Sequence, residues 1–166
     1  MSQATSTFIN STAPYKNLNA SCKHLFELKA TKECSFADIA AAIGRDEVWT
    51  AALFYGQATA TEDDIKALAK FFEVEASLIA PLANVGGVNI NRGDLGPMPP
   101  TDPVIYRLYE GIMVYGYPIK AIIHEKFGDG IMSLIDCRVH VNKKEDPKGD
   151  RVLLTFDGKF LPYIKW

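Results

Sequence analysis

Apolar side chains recur at helical spacing through the first half of the chain and at alternating spacing near its end. From Leu18 to Pro81 the pattern predicts helices throughout. A first helix opens near His24 and turns Leu25 and Leu28 inward. Ser35 caps a second, which runs through Ile39 and Ile43 to Gly44, where a glycine closes a helix. Asp46 caps a third carrying Val48, Trp49, Ala52, Leu53 and Phe54 before Gly56. Thr61 caps a fourth with the stripe Ile65, Leu68, Ala69 and Phe72. Short helices bent at a glycine give a helix-turn-helix arrangement over residues 17–82. Residues 1–16 read as a flexible polar tail, with Phe8 and Ile9 too few to build a core. Residues 83–102 read as a linker, because Gly86-Gly87, Gly93, Gly96, Pro97, Pro99 and Pro100 leave no room for a regular element. Arg92 within it reads as a solvated loop charge.

Residues 103–166 form a second part. Asp102-Pro103 opens a helix with an acceptor at the N-cap and proline at the first position. Its stripe is Ile105, Leu108, Ile112 and Tyr115. Gly116 is expected to stop it and Pro118 to restart a shorter helix through Ile119, Ile122, Ile123 and Phe127, ended by Gly128. Ile131, Leu134 and Ile135 then follow at helical spacing, which puts Ser133 on a short helical turn facing away from them. From Asp136 the period becomes two: Cys137, Val139 and Val141 alternate with Arg138, His140 and Asn142 as a half-buried strand. Asp146 to Gly149 make a turn, Val152, Leu154 and Phe156 a second strand, and Asp157-Gly158 a turn toward Phe160 and Leu161. The fold class is therefore α+β: an all-α N-terminal domain and a small α+β domain. A lone ribbon cannot bury its apolar face, which points to an intertwined dimer at least.

Composition narrows the classes of function. With 48% apolar and 23% charged residues the chain has the make-up of a soluble globular protein, and no apolar run approaches a membrane span. A net charge of −2 excludes a strongly basic nucleic-acid binder. Residues 35–75 hold three basic side chains against eight acidic ones, and a recognition helix beginning Asp46-Glu47 would repel phosphates. No nucleic-acid partner is expected. Cys22, Cys34 and Cys137 lack CxxC spacing, which argues against zinc and against a disulfide framework and fits a reducing compartment. Residues 1–14 contain neither Lys nor Arg, so neither a secretory n-region nor an Arg-rich transit peptide is expected; the cytoplasm is the default.

Three polar side chains stand out. Arg107 and Glu110 lie three residues apart off the apolar stripe and can meet. Read plainly, they are a surface ion pair worth about 0.2–0.5 kcal/mol, and Ser133 is a hydroxyl bonding its own backbone. The residues alone leave those readings and a small-anion site equally open. His24, His124 and His140 are scattered without metal-ligand spacing. Cys137 reads as a small core filler, and Glu125, Lys126 and Asp129 as a solvated helix end and its turn.

Longer stretches carry a resemblance. Tyr106-Arg107-Leu108-Tyr109-Glu110, then His124-Glu125-Lys126-Phe127-Gly128-Asp129-Gly130-Ile131-Met132-Ser133, then Asp150-Arg151-Val152 and Asp157-Gly158-Lys159-Phe160-Leu161-Pro162 resemble the cyanase (cyanate hydratase, cyanate lyase) family, in order, over most of residues 100–163. The resemblance implies an N-terminal helical domain like a phage repressor's, without need for DNA. It implies a bicarbonate-dependent decomposition of cyanate, with Arg107, Glu110 and Ser133 as the catalytic set and with no metal or organic cofactor. It also implies a cytoplasmic decamer of five dimers whose sites are assembled from neighbouring chains, acting in cyanate detoxification and nitrogen metabolism. Cys137 departs from the aromatic residue many members carry there, which affects packing and removes no catalytic group. Two rivals remain: a helix-turn-helix regulator, which lacks its basic recognition helix, and a non-catalytic oligomeric scaffold, which would leave the three polar residues without a common ligand.

Overall fold

The computed structural model describes residues 18–83 and 96–166. The tail expected over 1–16 and the part of the linker that holds Gly86, Gly87, Arg92 and Gly93 lie outside these residues. The chain divides into two compact units between residues 95 and 96.

The first unit is helical. Helices α1 (Ala20–Thr31), α2 (Phe36–Ile43), α3 (Glu47–Phe54) and α4 (Glu62–Phe72) are followed by short 3₁₀ turns at Ala76–Leu78 and Ala80–Ala83. Helix α1 starts a turn earlier than His24, because the Asn19 side chain accepts the Cys22 N–H at 2.8 Å. Ser35 with Asp38, and Thr61 with Asp64, each form a reciprocal capping box. Gly44 ends α2 in the left-handed conformation at φ 69°. Asp46 occupies the N-cap of α3, but its side chain does not bond the helix end. Leu25, Ile39, Leu53, Phe54, Leu68 and Ile79 are fully buried. Phe26, Phe36 and Phe54 meet edge to face around them.

A polar tie crosses this core. The buried Asp64 carboxylate accepts from Arg45 Nε at 2.8 Å and Nη2 at 3.1 Å, and from the Thr61 N–H at 2.8 Å and hydroxyl at 2.9 Å. It thereby joins the loop after α2 to the start of α4. Burial alone would raise its pKa; the Arg45 guanidinium, then the Thr61 donors, hold it below the usual carboxylate range.

The second unit holds one long helix, α5 (Pro103–Phe127), and a two-stranded antiparallel hairpin of β1 (Gly130–Lys144) and β2 (Arg151–Pro162). Three sequence expectations are corrected here. Helix α5 runs unbroken through Gly116 and Pro118. Gly116 keeps a φ outside the left-handed region and the helix passes through it; Gly128, at φ 89°, ends it. Pro118 forfeits one helical hydrogen bond, and water can take up the freed carbonyl because the surrounding residues are exposed. Ser133 lies in strand β1 and not on a helical turn. The helical spacing around it comes from a break in the ladder: Met132 pairs with Phe160 and Cys137 with Gly158, so residues 133–136 stand opposite Lys159 alone. Finally, Asp157-Gly158 is not a turn. Asp157 pairs with Arg138 and Gly158 with Cys137, and β2 continues to Pro162. The turn at Asp146 to Gly149 is present, closed by the Gly149 N–H on the Asp146 carbonyl at 2.9 Å.

Asp64→Ala should lower the stability of the helical unit by about 2–4 kcal/mol, since it strands a guanidinium and uncaps α4. The folded carboxyl lies below its unfolded value near about 4. Its stabilisation is therefore complete above about pH 4 and is lost as pH falls through the folded pKa. Denaturant unfolding followed by Trp49 fluorescence in a Trp166→Phe background measures both, and Asp64→Asn should flatten the acid limb.

Candidate active site

Asp102 sets the start of α5. Its carboxylate accepts the N–H groups of Val104 at 2.9 Å and Ile105 at 3.0 Å, with Pro103 following at the first helical position. One turn on, Arg107 Nη1 donates to Glu110 Oε2 at 2.5 Å, and the guanidinium carbon stands 5.9 Å from the Tyr106 ring centre. The two side chains are 72% and 46% exposed, so the pair holds a charged fork outward and little fold depends on it. The Glu110 hydrogen bond, and then its charge, raise the Arg107 pKa above its ordinary value. The guanidinium is charged at every working pH.

Ser133 has the opposite setting. It is 4% exposed, and its Oγ accepts the N–H of Ile135 at 3.1 Å and of Asp136 at 3.0 Å. This is the bonding of a helix N-cap reproduced inside a strand. With the oxygen accepting twice, the hydroxyl proton remains to be given, and it finds no acceptor among the described residues.

Arg107 and Glu110 are brought together; Ser133 is bonded to neither among the described residues. The contacts between α5 and the hairpin cluster at the helix's C-terminal end, where His124 Nε2 lies 3.2 Å from the Gly130 carbonyl and Phe127 stacks on Phe160 at 5.4 Å. Neither strand packs along the helix. At 1.5 Å per residue, Arg107 is about 30 Å up the axis from Phe127. The bridging role of His124, which spacing alone left as a helix-end histidine, could be read only once the helix and strand met. Gly158 lies within β2, in keeping with the period of two that runs unbroken from Val152 through Leu154 and Phe156 to Phe160, with Gly158 on the same face. Among the described residues no cluster of His, Cys, Asp and Glu is arranged to hold a metal. An open cleft of about 570 Å³ borders the bulge, lined by Ile135, Asp136, Cys137, Arg138, Asp157 and Lys159, whose charges balance.

An outward guanidinium that never loses its charge, and a buried hydroxyl with its proton to give, are groups suited to small anions. Comparison with known proteins narrows this further. The profile of the cyanate lyase C-terminal domain matches residues 97–165. A cyanate hydratase of Laccaria bicolor is 58% identical over 96% of this chain and 96% of its own. One of Parasynechococcus marenigrum is 53% identical over 86% and 94%. The crystal structure of cyanase from T. urticae superposes with a TM-score of 0.76 at 33% identity, over 86% of this chain and 97% of that one. The chain belongs to the cyanate hydratase family.

Ser133→Ala should leave the Ile135 and Asp136 N–H groups without their acceptor, costing about 1–2 kcal/mol. Faster amide exchange over residues 131–137 and a lower thermal midpoint, at one fixed protein concentration, would show it. Arg107→Lys, in an exposed pair, should move neither.

Proposed function

We propose that this chain catalyses the bicarbonate-dependent decomposition of cyanate. Cyanate, bicarbonate and one proton give carbamate and carbon dioxide; carbamate takes a second proton and falls apart to ammonia and carbon dioxide. A bicarbonate oxygen attacks the cyanate carbon and the nitrogen takes up the added proton; the carbon–oxygen bond to the former bicarbonate carbon then breaks to release carbon dioxide as the bicarbonate hydroxyl proton passes to the same nitrogen. The observation that carries this reading is the permanently charged, outward Arg107 guanidinium in a chain of this family. Two unit anions about 4 Å apart repel by about 4 kcal/mol at an effective dielectric of 20, so their adduct needs a fixed cation. A planar fork meets a carboxylate-like group with two parallel hydrogen bonds, which an ammonium cannot do. Ser133 donates its hydroxyl proton in a hydrogen bond where charge collects. Glu110 orients Arg107 or passes a proton. Bicarbonate supplies the nucleophile, and proximity with electrostatics supplies the rate.

The enzyme acts as an oligomer, a ring of five dimers, with Arg107 and Ser133 of one site drawn from different subunits. Support comes from surface that one chain cannot cover: no residue of α5 is buried, Ile112 is 64% exposed and Val152 on the hairpin 79%. It also comes from the separation of Arg107 from the hairpin along α5. Free Cys22, Cys34 and Cys137 fit the cytoplasm. Among the described residues no helix is long and apolar enough to cross a membrane. Detoxification of cyanate and supply of ammonia follow from the products.

Ammonia release from cyanate should fall to background in buffer stripped of carbon dioxide and return with added bicarbonate; undiminished turnover would mean that water is the nucleophile. For the assembly, Arg107→Ala and Ser133→Ala should each be inactive, and mixing them under subunit exchange should restore part of the activity. Mixed oligomers confirmed by mass, yet inactive, would place both groups of a site on one chain.

A further inference from the structure

The bulge that carries Ser133 is seated on a glycine. Between the pairs Met132–Phe160 and Cys137–Gly158, four residues of β1 must be taken up against one of β2. Ser133 is the first of the four, and its carbonyl comes down on Gly158. A Cβ built at Gly158 would lie 2.4 Å from the Ser133 carbonyl oxygen and 2.6 Å from Met132 Cγ, closer than unbonded atoms approach. The φ of Gly158 is not in the left-handed region, so its conformation would suit any residue. Space is what requires glycine here. Gly130 is crowded too, with a built Cβ 2.5 Å from the Leu161 carbonyl oxygen, but it lies in the regular ladder before the bulge. Among the described glycines, Gly158 is the one whose missing side chain is filled by Ser133.

We infer that Gly158 is a positioning residue for the reaction: its bare Cα lets the Ser133 backbone seat against β2 and so fixes where the Ser133 hydroxyl stands. The inference rests on the reading of Ser133 as donor to the reacting anions. Any side chain at 158 pushes the Ser133 carbonyl off the strand. It thereby disturbs the turn in which Oγ holds the Ile135 and Asp136 N–H groups. The hydroxyl then moves by about the ångström that costs an oriented catalytic group about a hundredfold in rate. Binding of the anions by Arg107, on a different element, is left as it was.

The test is Gly158→Ala in the full chain, beside Gly149→Ala at the hairpin tip. Gly149 sits at φ 122° with nothing within 4 Å of a built Cβ, so its substitution strains the same hairpin without touching Ser133. Gly158→Ala should assemble to the wild-type mass and lose about a hundredfold in kcat, with KM for cyanate moving less than about threefold. Amide exchange over residues 131–137 should be about tenfold faster, while the tip variant keeps its kcat and its exchange over those residues. Ser133→Ala is assayed in parallel. If it turns over normally, the assignment of Ser133 is wrong. If it is inactive while Gly158→Ala has wild-type kcat, the inference about Gly158 fails and the assignment stands. Should Gly158→Ala not assemble, Met132→Ala with Gly158→Ala relieves the side-chain contact and keeps the one with the carbonyl. That double variant should assemble with low kcat. Normal kcat in it, or failure to assemble, overturns the inference.

Discussion

A single helix and a two-stranded ribbon have nowhere within themselves to put their apolar side chains, and the second unit consists of little else. Ile105, Leu108, Ile112 and Tyr115 are each about half or more exposed along α5. The hairpin offers Val152, Leu153 and Phe156 in the same condition. Fully burying one such side chain is worth about 1.5–3 kcal/mol, so a stripe of this length is a substantial unspent driving force toward association. The constraint reaches the proposed site as well, because Arg107 and Ser133 are mounted on the elements whose surfaces remain to be covered.

The first unit meets the same physical requirement alone. Its four helices close on Leu25, Ile39, Leu53, Phe54 and Leu68, and the one charged group they bury, Asp64, is matched by Arg45 and Thr61. It has the outline of a helix-turn-helix but the wrong charge for nucleic acid, since α3 opens on Asp46-Glu47.

The two halves of the proposed chemistry are held by different means. Arg107 depends on no packing: one carboxylate aims it, and its charge does not titrate in the working range. Ser133 depends on packing entirely, being buried, bonded twice to its own backbone and pressed against a residue that has no side chain. A charged fork can be aimed by a single carboxylate, because its charge acts at a distance. A hydrogen-bond donor at a reacting centre must be fixed within fractions of an ångström.

The sequence by itself determined the helices of the first unit, their caps and their core, because those depend on neighbours a few residues away. Ser35, Gly44 and Thr61 stand where local hydrogen bonding requires them. It also determined the Arg107–Glu110 pair, which needs only one helical turn, and through longer motifs the family. The tertiary structure alone decided that α5 passes through Pro118, that Ser133 sits in a strand, and that Gly158 is a seat and not a turn. The last two turn on what lies opposite, and the first on exposure that lets water take up the freed carbonyl. The apolar spacing at 131–135 is helical, yet Phe160 to Pro162, far along the chain, hold residues 130–132 as strand, and Ser133 follows in the bulge opposite Lys159. A glycine that permits a turn and a glycine that admits a neighbour's backbone are the same letter. Only the second strand, laid against the first, shows which reason applies.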